Sequence, residues 1–291
     1  MNRTQTITFN WLLQSGLEHD ELLLEALLRR GFFAYRDEQG VWLGTGSHPE
    51  DIGVLQFVKG LEVEPLSGHQ DRMARVAFHS SIEREMNVAL HIIAIPENRS
   101  FNGGSDGPFN RWGVAWGAYS NMVWGVKLAV CPTSYKHKHR LGYFALDLGV
   151  ALLIKALPLA RIATDSFSCD GHGDRAAGIA FRFNWDGIWG KAVFDALVGA
   201  MKHSNWTWRP GGLKIEPIGG FGDAEILGML NDIQSFSRQL LNQTTIKKIG
   251  RSRANTLGTF SNYKIGPLDE DFAAEAARQL TIEFSLPSVQ V

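Results

Sequence analysis

Cysteine is scarce in this sequence, and its scarcity bears on both stability and compartment. Cys131 and Cys169 are the only two thiols among 291 residues, too few for the dense disulfide framework of a small secreted protein. A chain of this length buries about three quarters of its unfolded surface, so its core needs no disulfide or structural metal. We therefore expect a protein of the reducing cytoplasm.

The sequence also lacks a long uncharged apolar run. Its most apolar window, residues 144–162, contains one acidic residue, two basic residues and a proline, which would be costly inside a bilayer. No apolar stretch of signal-peptide length separates Arg3 from the charged run that begins at Glu18. These two absences predict a soluble chain without a membrane span or a secretion signal.

Neither sign of charge is in excess. The 29 basic and 30 acidic residues give a net charge of -1, so the protein as a whole has no attractive field for a phosphate backbone. The basic runs at residues 136–140 and 247–253 are short, and such runs usually form solvated surface. Nucleic acid is therefore not an expected partner.

Several common motifs are missing as well. The sequence contains no Walker A segment, no Gly-x-Gly-x-x-Gly and no His-Glu-x-x-His. It shows no repeat of fixed period and no low-complexity tract. These absences disfavour the common nucleotide-binding and zinc-protease classes.

What is present is a mixture of amphipathic and short β-prone segments. The spacing predicts helices over residues 18–30, 49–59, 143–156, 189–201, 224–241 and 269–280, and strands over residues 32–36, 41–44, 87–95, 162–166, 178–183, 213–218 and 281–284. Gly31 ends the first helix, and residues 37–40 have the composition of a hairpin loop. The pattern predicts an α+β fold in which a mixed or antiparallel sheet has helices packed mainly on one side.

The strongest turn signal in the chain lies between residues 97 and 110, where Asn102–Pro108 is rich in glycine. Loops of this length are uncommon inside compact domains unless they bind a ligand or join two lobes. We therefore predict an N-terminal α/β lobe over residues 1–100 and a C-terminal α/β lobe over residues 111–291, with one continuous domain as the alternative.

Residues 164–175 carry the highest density of chemically active side chains. The segment brings a thiol, an imidazole, three carboxylates, two serine hydroxyls and a guanidinium into one turn between apparent strands. Loops held at strand ends by a rigid sheet are common positions for catalytic and binding groups. The candidate site is therefore the loop Ser168–Arg175.

Three functional hypotheses apply to this loop. In the first, Cys169 and His172 bind zinc, because a thiolate and an imidazole three residues apart can reach one ion. Cys131 with His137 or His139 would complete the tetrahedral set, although the spacing is not a standard zinc signature.

In the second hypothesis, Cys169 is a nucleophile and His172 is its base. Asp170 or Asp174 then serves as an auxiliary acid. Such thiol and imidazole pairs more often meet from distant parts of a chain, which weighs against this arrangement.

In the third hypothesis, the loop binds an anion. The backbone around Gly171 and Gly173 would approach a phosphate or carboxylate together with Arg175, while Asp170 or Asp174 holds a cation. The structural alternative to all three is an ordinary turn, in which the aspartates cap backbone amides and the thiol is a small apolar group.

Two classes of function follow from these observations. One is an enzyme of hydrolytic or group-transfer chemistry on a polar or anionic substrate at the Ser168–Arg175 loop, with zinc as a candidate cofactor. The other is a non-catalytic binding or assembly protein of the inhibitor or adaptor type. Its support is the tryptophan-rich, nearly neutral composition and the lack of a complete catalytic signature. It would bind a protein partner or form a homo-oligomer through aromatic surface and the Asn102–Pro108 loop.

Overall fold

The computed structural model describes residues 3–44, 49–56, 58–67, 72–79, 84–95, 148–162, 164–181, 185–259 and 270–285. Helices and antiparallel strands within these ranges confirm the predicted α+β class, with two sheets instead of one. The chain divides into two compact units, Met1–Leu152 and Leu153–Val291. The predicted joint at residues 97–110 lies outside the described ranges, so the proposed lobe boundary stays a prediction.

The first unit combines helices with a four-stranded antiparallel sheet in the order β1-β2-β4-β3. Its elements are α1 (Arg3–Gln14), α2 (His19–Arg30), β1 (Ala34–Asp37), β2 (Gly40–Gly44), α3 (Pro49–Gln56), β3 (Leu61–Pro65), β4 (Arg72–Phe78) and α4 (Glu85–Ile93). A further helix, α5 (Ala151–Ala156), begins at the boundary between the two units.

The end of α2 confirms the role predicted for Gly31. This residue adopts a left-handed φ of 96°, and its N–H donates to the Leu28 carbonyl at 3.0 Å. A Cβ at this position would lie 2.6 Å from the Cβ of Ala151. Glycine is therefore required both by the backbone conformation and by the close approach of Ala151.

The hairpin predicted around residues 37–40 is also confirmed. Strands β1 and β2 pair with Asp37 opposite Gly40. The Asp37 carboxylate accepts hydrogen bonds from the Trp42 indole at 2.8 Å and from Arg72 at 2.7 Å. The indole hydrogen bond is the main reason that the pKa of Asp37 lies below its ordinary value. One carboxylate therefore connects the hairpin loop to β4.

The strand predicted over residues 87–95 is wrong, because this segment belongs to helix α4. Val88, Ala89, Ile92 and Ile93 are buried, whereas His91 is exposed. This spacing places the apolar side chains on one face of a helix that packs on α2. A short apolar run fits a buried strand and a buried helix equally well, so only the packing decides between them.

The second unit contains a four-stranded antiparallel sheet in the order β5-β6-β8-β7. Its elements are a 3₁₀ turn (Leu157–Ala160), β5 (Thr164–Cys169), a second 3₁₀ turn (Gly171–Gly173), β6 (Ala177–Phe181), α6 (Trp185–Leu197), β7 (Ser204–Arg209), β8 (Gly212–Pro217), α7 (Asp223–Leu241), α8 (Gln243–Thr259) and α9 (Glu270–Ser285).

An aromatic cluster connects this sheet to its helices. Phe194 of α6 stacks on Trp206 of β7 with ring centroids 5.0 Å apart, and Phe236 of α7 meets the Trp206 ring edge-on at 5.4 Å. Trp208 lies 5.9 Å from Phe194 in the same cluster. These two tryptophans therefore pack within the unit, whereas Trp112, Trp116 and Trp124 lie outside the described residues.

The C-terminal region differs from the prediction in two places. Residues 281–284, predicted as a strand, continue helix α9 to Ser285, where Leu280 and Glu283 are buried and Arg251 of α8 donates to Oε2 of Glu283 at 2.9 Å. The polar segment after residue 242, for which no element was predicted, forms α8. Packing between these two helices outweighs the β propensity of the Thr281–Phe284 run.

Only half of the basic run in α8 forms the solvated surface that its composition suggests, because Lys247 and Arg251 are exposed. Arg253 and Lys248 are both buried, and the Arg253 guanidinium lies 4.9 Å from the centroid of the Trp189 ring. Burial lowers the pKa of Arg253 to about 10, an effect that the nearby carboxylate of Asp186 opposes. Two of the four basic residues in this run therefore belong to the interior of the second unit.

None of the helices in the described ranges combines the length and the apolar character that crossing a membrane requires.

Candidate functional site

The candidate loop connects two paired strands of the second sheet. Strand β5 ends at Cys169, which pairs with Gly178 of β6, and Ser168 pairs with Ile179. Between the strands the backbone forms the 3₁₀ turn Gly171–Gly173. The strand, turn and strand that the sequence predicts are therefore present.

This turn contains three successive residues in the left-handed region. The φ angles of Gly171, His172 and Gly173 are 78°, 53° and 84°. For the two glycines this conformation has no steric cost, but for His172 it costs roughly 1–2 kcal/mol. Backbone strain of this kind is concentrated at functional sites.

Close packing holds the strained turn in place. A Cβ at Gly171 would lie 2.9 Å from the carbonyl oxygen of Ala176. The carbonyl of Gly171 accepts hydrogen bonds from the backbone N–H groups of Asp174 at 3.1 Å and Arg175 at 3.3 Å. The turn therefore folds tightly against the start of β6.

Asp170 is the buried side chain that organises this turn. It is only 1% exposed, and its Oδ1 accepts the backbone N–H of His172 at 2.8 Å. The same oxygen lies 3.4 Å from Nδ1 of the His172 ring. The carboxylate thus holds the backbone of His172 by a hydrogen bond and lies within ion-pair distance of the imidazole of the same residue.

The His172 imidazole lies at the boundary between the interior and solvent. Its Nδ1 is shielded from solvent on the side of Asp170, whereas the side chain as a whole is 35% exposed. A buried carboxylate beside one ring nitrogen is the usual means of setting the tautomer and orientation of a working histidine. Asp174 and Arg175 follow directly and are exposed.

The remaining predicted site residues are not brought together by the described structure. The backbone of Cys169 lies at the end of β5, but its side chain lies outside what the structure describes, as do Cys131, His137 and His139. Within the described ranges, no group of three His, Cys, Asp or Glu side chains could hold a metal ion. The zinc hypothesis therefore stays a prediction.

Two features escaped the sequence analysis. The first is an exposed apolar turn, Ile218–Gly222, for which the signal is a glycine pair between two large apolar residues. The second is a Gly-x-Ser-x-Gly match at Gly103–Gly107, which lies outside the described residues.

A comparison of the chain with protein-family models, curated proteins and solved structures finds no match.

Proposed function

We propose that the protein is an enzyme of hydrolytic or group-transfer chemistry on a polar or anionic substrate, with His172 as the general base and acid. The observation that supports this proposal is the position of the Asp170 carboxylate, which lies 3.4 Å from the shielded Nδ1 of His172. A strained backbone at the same histidine adds to the support.

The proposed chemistry requires a neutral imidazole at the start. In the proposed state the proton is on Nδ1, which lies 3.4 Å from Asp170 Oδ1, so Nε2 is the basic atom. Nε2 accepts a proton from a water molecule or a hydroxyl group as that oxygen attacks the substrate. The imidazolium then donates this proton to the leaving group, and the negative charge of Asp170 stabilises the imidazolium in between.

Arg175 is the residue that we assign to substrate binding. Its side chain is exposed four residues after the start of the turn, and its guanidinium would bind a carboxylate or phosphate in a bidentate manner. The backbone N–H groups of His172, Asp174 and Arg175 already bond within the turn. We therefore assign Gly171 and Gly173 to shaping the turn and the anion to the Arg175 side chain.

The test is hydrolysis of p-nitrophenyl acetate and p-nitrophenyl phosphate by the purified full chain. His172→Asn removes the imidazole while retaining a residue that tolerates left-handed φ, and should lower kcat by about 100-fold to 10,000-fold. His91→Asn, an exposed histidine of α4, is the matched control and should retain full activity. Arg175→Gln should raise KM for the phosphate ester more than for the acetate ester.

Two further measurements decide among the hypotheses for this loop. Cys169→Ser abolishes turnover if the thiol is the nucleophile, and leaves it nearly unchanged if His172 activates water. Equal rates for the wild type and His172→Asn would overturn the proposal. Absence of turnover on both esters, combined with a concentration-dependent oligomer in light scattering, would favour the assembly protein instead.

A further inference from the structure

The register of the second sheet places another segment beside the candidate loop. Strands β6 and β8 are antiparallel neighbours, with Ala177 opposite Ile215. The turn at Gly171–Gly173 precedes Ala177, and residues 216–222 follow Ile215. Both segments therefore leave the sheet at the same end, on adjacent strands that are about 4.8 Å apart.

This second segment is an apolar turn exposed to solvent. After β8, the N–H of Ile218 donates to the His203 carbonyl at 2.9 Å, and the chain then passes through two glycines to Phe221. Ile218 is 46% exposed and Phe221 is 37% exposed. Large apolar side chains in such a turn are costly to leave in water.

The pairing of these two residues is unusual within the described part of the chain. Only two other large apolar side chains there are comparably exposed, Leu13 of α1 and Ile282 of α9. Each of those lies on a separate helix, where single exposed apolar residues are common. Ile218 and Phe221 instead lie three residues apart in one turn, at the sheet end that carries His172.

We propose that Ile218 and Phe221 form the apolar half of the substrate site of His172. The substrate is then an amphipathic organic anion, whose head group binds Arg175 and whose hydrocarbon chain covers the Ile218–Phe221 turn. This inference rests on the proposed function and adds the substrate class to it. The neighbouring arrangement of an exposed guanidinium and exposed apolar side chains provides the recognition for both halves.

The test is a titration of the ¹⁵N-labelled full chain with octanoate, octyl phosphate and acetate. Changes in the amide chemical shifts give the dissociation constant of each anion. Each methylene that becomes buried should tighten binding about fourfold, so octanoate should bind at least about 10-fold more tightly than acetate. The double variant Ile218→Ser with Phe221→Ser should weaken octanoate binding about 10-fold and leave acetate binding unchanged. Arg175→Gln should weaken binding of all three anions. The affinity for octyl phosphate compared with that for octanoate identifies the preferred head group.

Ile282→Ser is the matched control, because it removes an equally exposed apolar side chain from another part of the same unit. It should leave octanoate binding unchanged. Equal weakening by Ile282→Ser, or no weakening by the double variant, would overturn the inference. A second outcome would also overturn the inference. If the wild type adsorbs to phosphatidylcholine vesicles and the double variant does not, while octanoate binding is the same in both, the turn is a lipid contact.

Failure of this inference can be separated from failure of the proposed function. If hydrolysis depends on His172 but octanoate binding does not depend on Ile218 and Phe221, the inference fails and the proposed function stands. If octanoate binding depends on Ile218, Phe221 and Arg175 but no hydrolysis occurs, the binding site is supported. The catalytic role assigned to His172 then fails.

Discussion

The carboxylate of Asp170 accepts the backbone N–H of His172 at 2.8 Å and lies 3.4 Å from Nδ1 of the same residue. A single buried side chain thereby fixes the strained backbone and lies within ion-pair distance of the imidazole ring. Because only Gly171 separates them, this relationship is built into one local turn and does not depend on distant parts of the chain.

Asp170→Asn should lower kcat about 100-fold or more. The amide oxygen can still accept the His172 backbone N–H, so the turn should persist. The amide has no charge to stabilise the imidazolium, and its NH₂ group would favour the wrong ring tautomer. Steady-state kinetics give the rate, and amide chemical shifts of residues 171–175 report the turn. Unchanged kcat with an intact turn would contradict the role of Asp170.

His172→Asn should leave the free energy of unfolding unchanged or raise it by up to about 1 kcal/mol. Asparagine adopts left-handed φ more readily than histidine, so the strain at this position is partly relieved. Urea denaturation of the wild type and variant measures the difference. Destabilisation by more than about 1 kcal/mol would show that the imidazole has a structural role instead.

Gly171→Ala should destabilise the second unit by more than about 1–2 kcal/mol, because the added methyl group combines left-handed strain with a contact 2.9 Å from the Ala176 carbonyl oxygen. Gly178→Ala is the matched control in the same hairpin, since a Cβ there meets no atom within 4 Å. Thermal unfolding of both variants tests the comparison. Equal melting temperatures for the two variants would contradict the tight packing of the turn.

The pair of His19 and Glu85 in the first unit should make stability depend on pH. Nδ1 of His19 lies 2.8 Å from Oε1 of Glu85, and this hydrogen bond is the main cause that raises the pKa of His19 above 6.5. A raised folded-state pKa gives stabilisation that is complete below pH 6.5 and is lost as pH rises through the folded-state value. The pair is therefore strongest in mildly acidic solution.

Urea denaturation of the wild type and Glu85→Gln tests this dependence. The loss of unfolding free energy caused by the substitution should be larger at about pH 5.5 than at about pH 8.5. Glu64→Gln, an exposed glutamate of β3, should show the same effect at both pH values. A loss for Glu85→Gln that grows with pH would contradict the sign.

The sequence was informative wherever local chemistry determines structure. Gly31 ends α2 because only glycine fits its left-handed conformation, and the β1–β2 hairpin follows from its turn residues. It was misleading where tertiary packing decides, as at residues 87–95, where a buried apolar run is helical. The Thr281–Phe284 run is helical for the same reason, because α9 packs along α8.

At the candidate site, too, the sequence predicts the local features but not those that depend on three-dimensional packing. Sequence composition located the loop and its glycines, but the distance between Asp170 and the His172 ring depends on three successive left-handed residues, which no periodicity reveals. The placement of Ile218 at the same end of the sheet as this loop depends on strand order, because β6 pairs with β8. Neither relationship could be obtained from spacing along the chain.

The most direct test of the account is the tautomer of His172, measured by long-range ¹H–¹⁵N correlation in the wild type and in Asp170→Asn at a pH where the ring is neutral. The account predicts a proton on Nδ1 and an unprotonated Nε2 in the wild type, and a loss of this preference in the variant. A wild-type ring with its proton on Nε2 would contradict the assignment of His172 as the base.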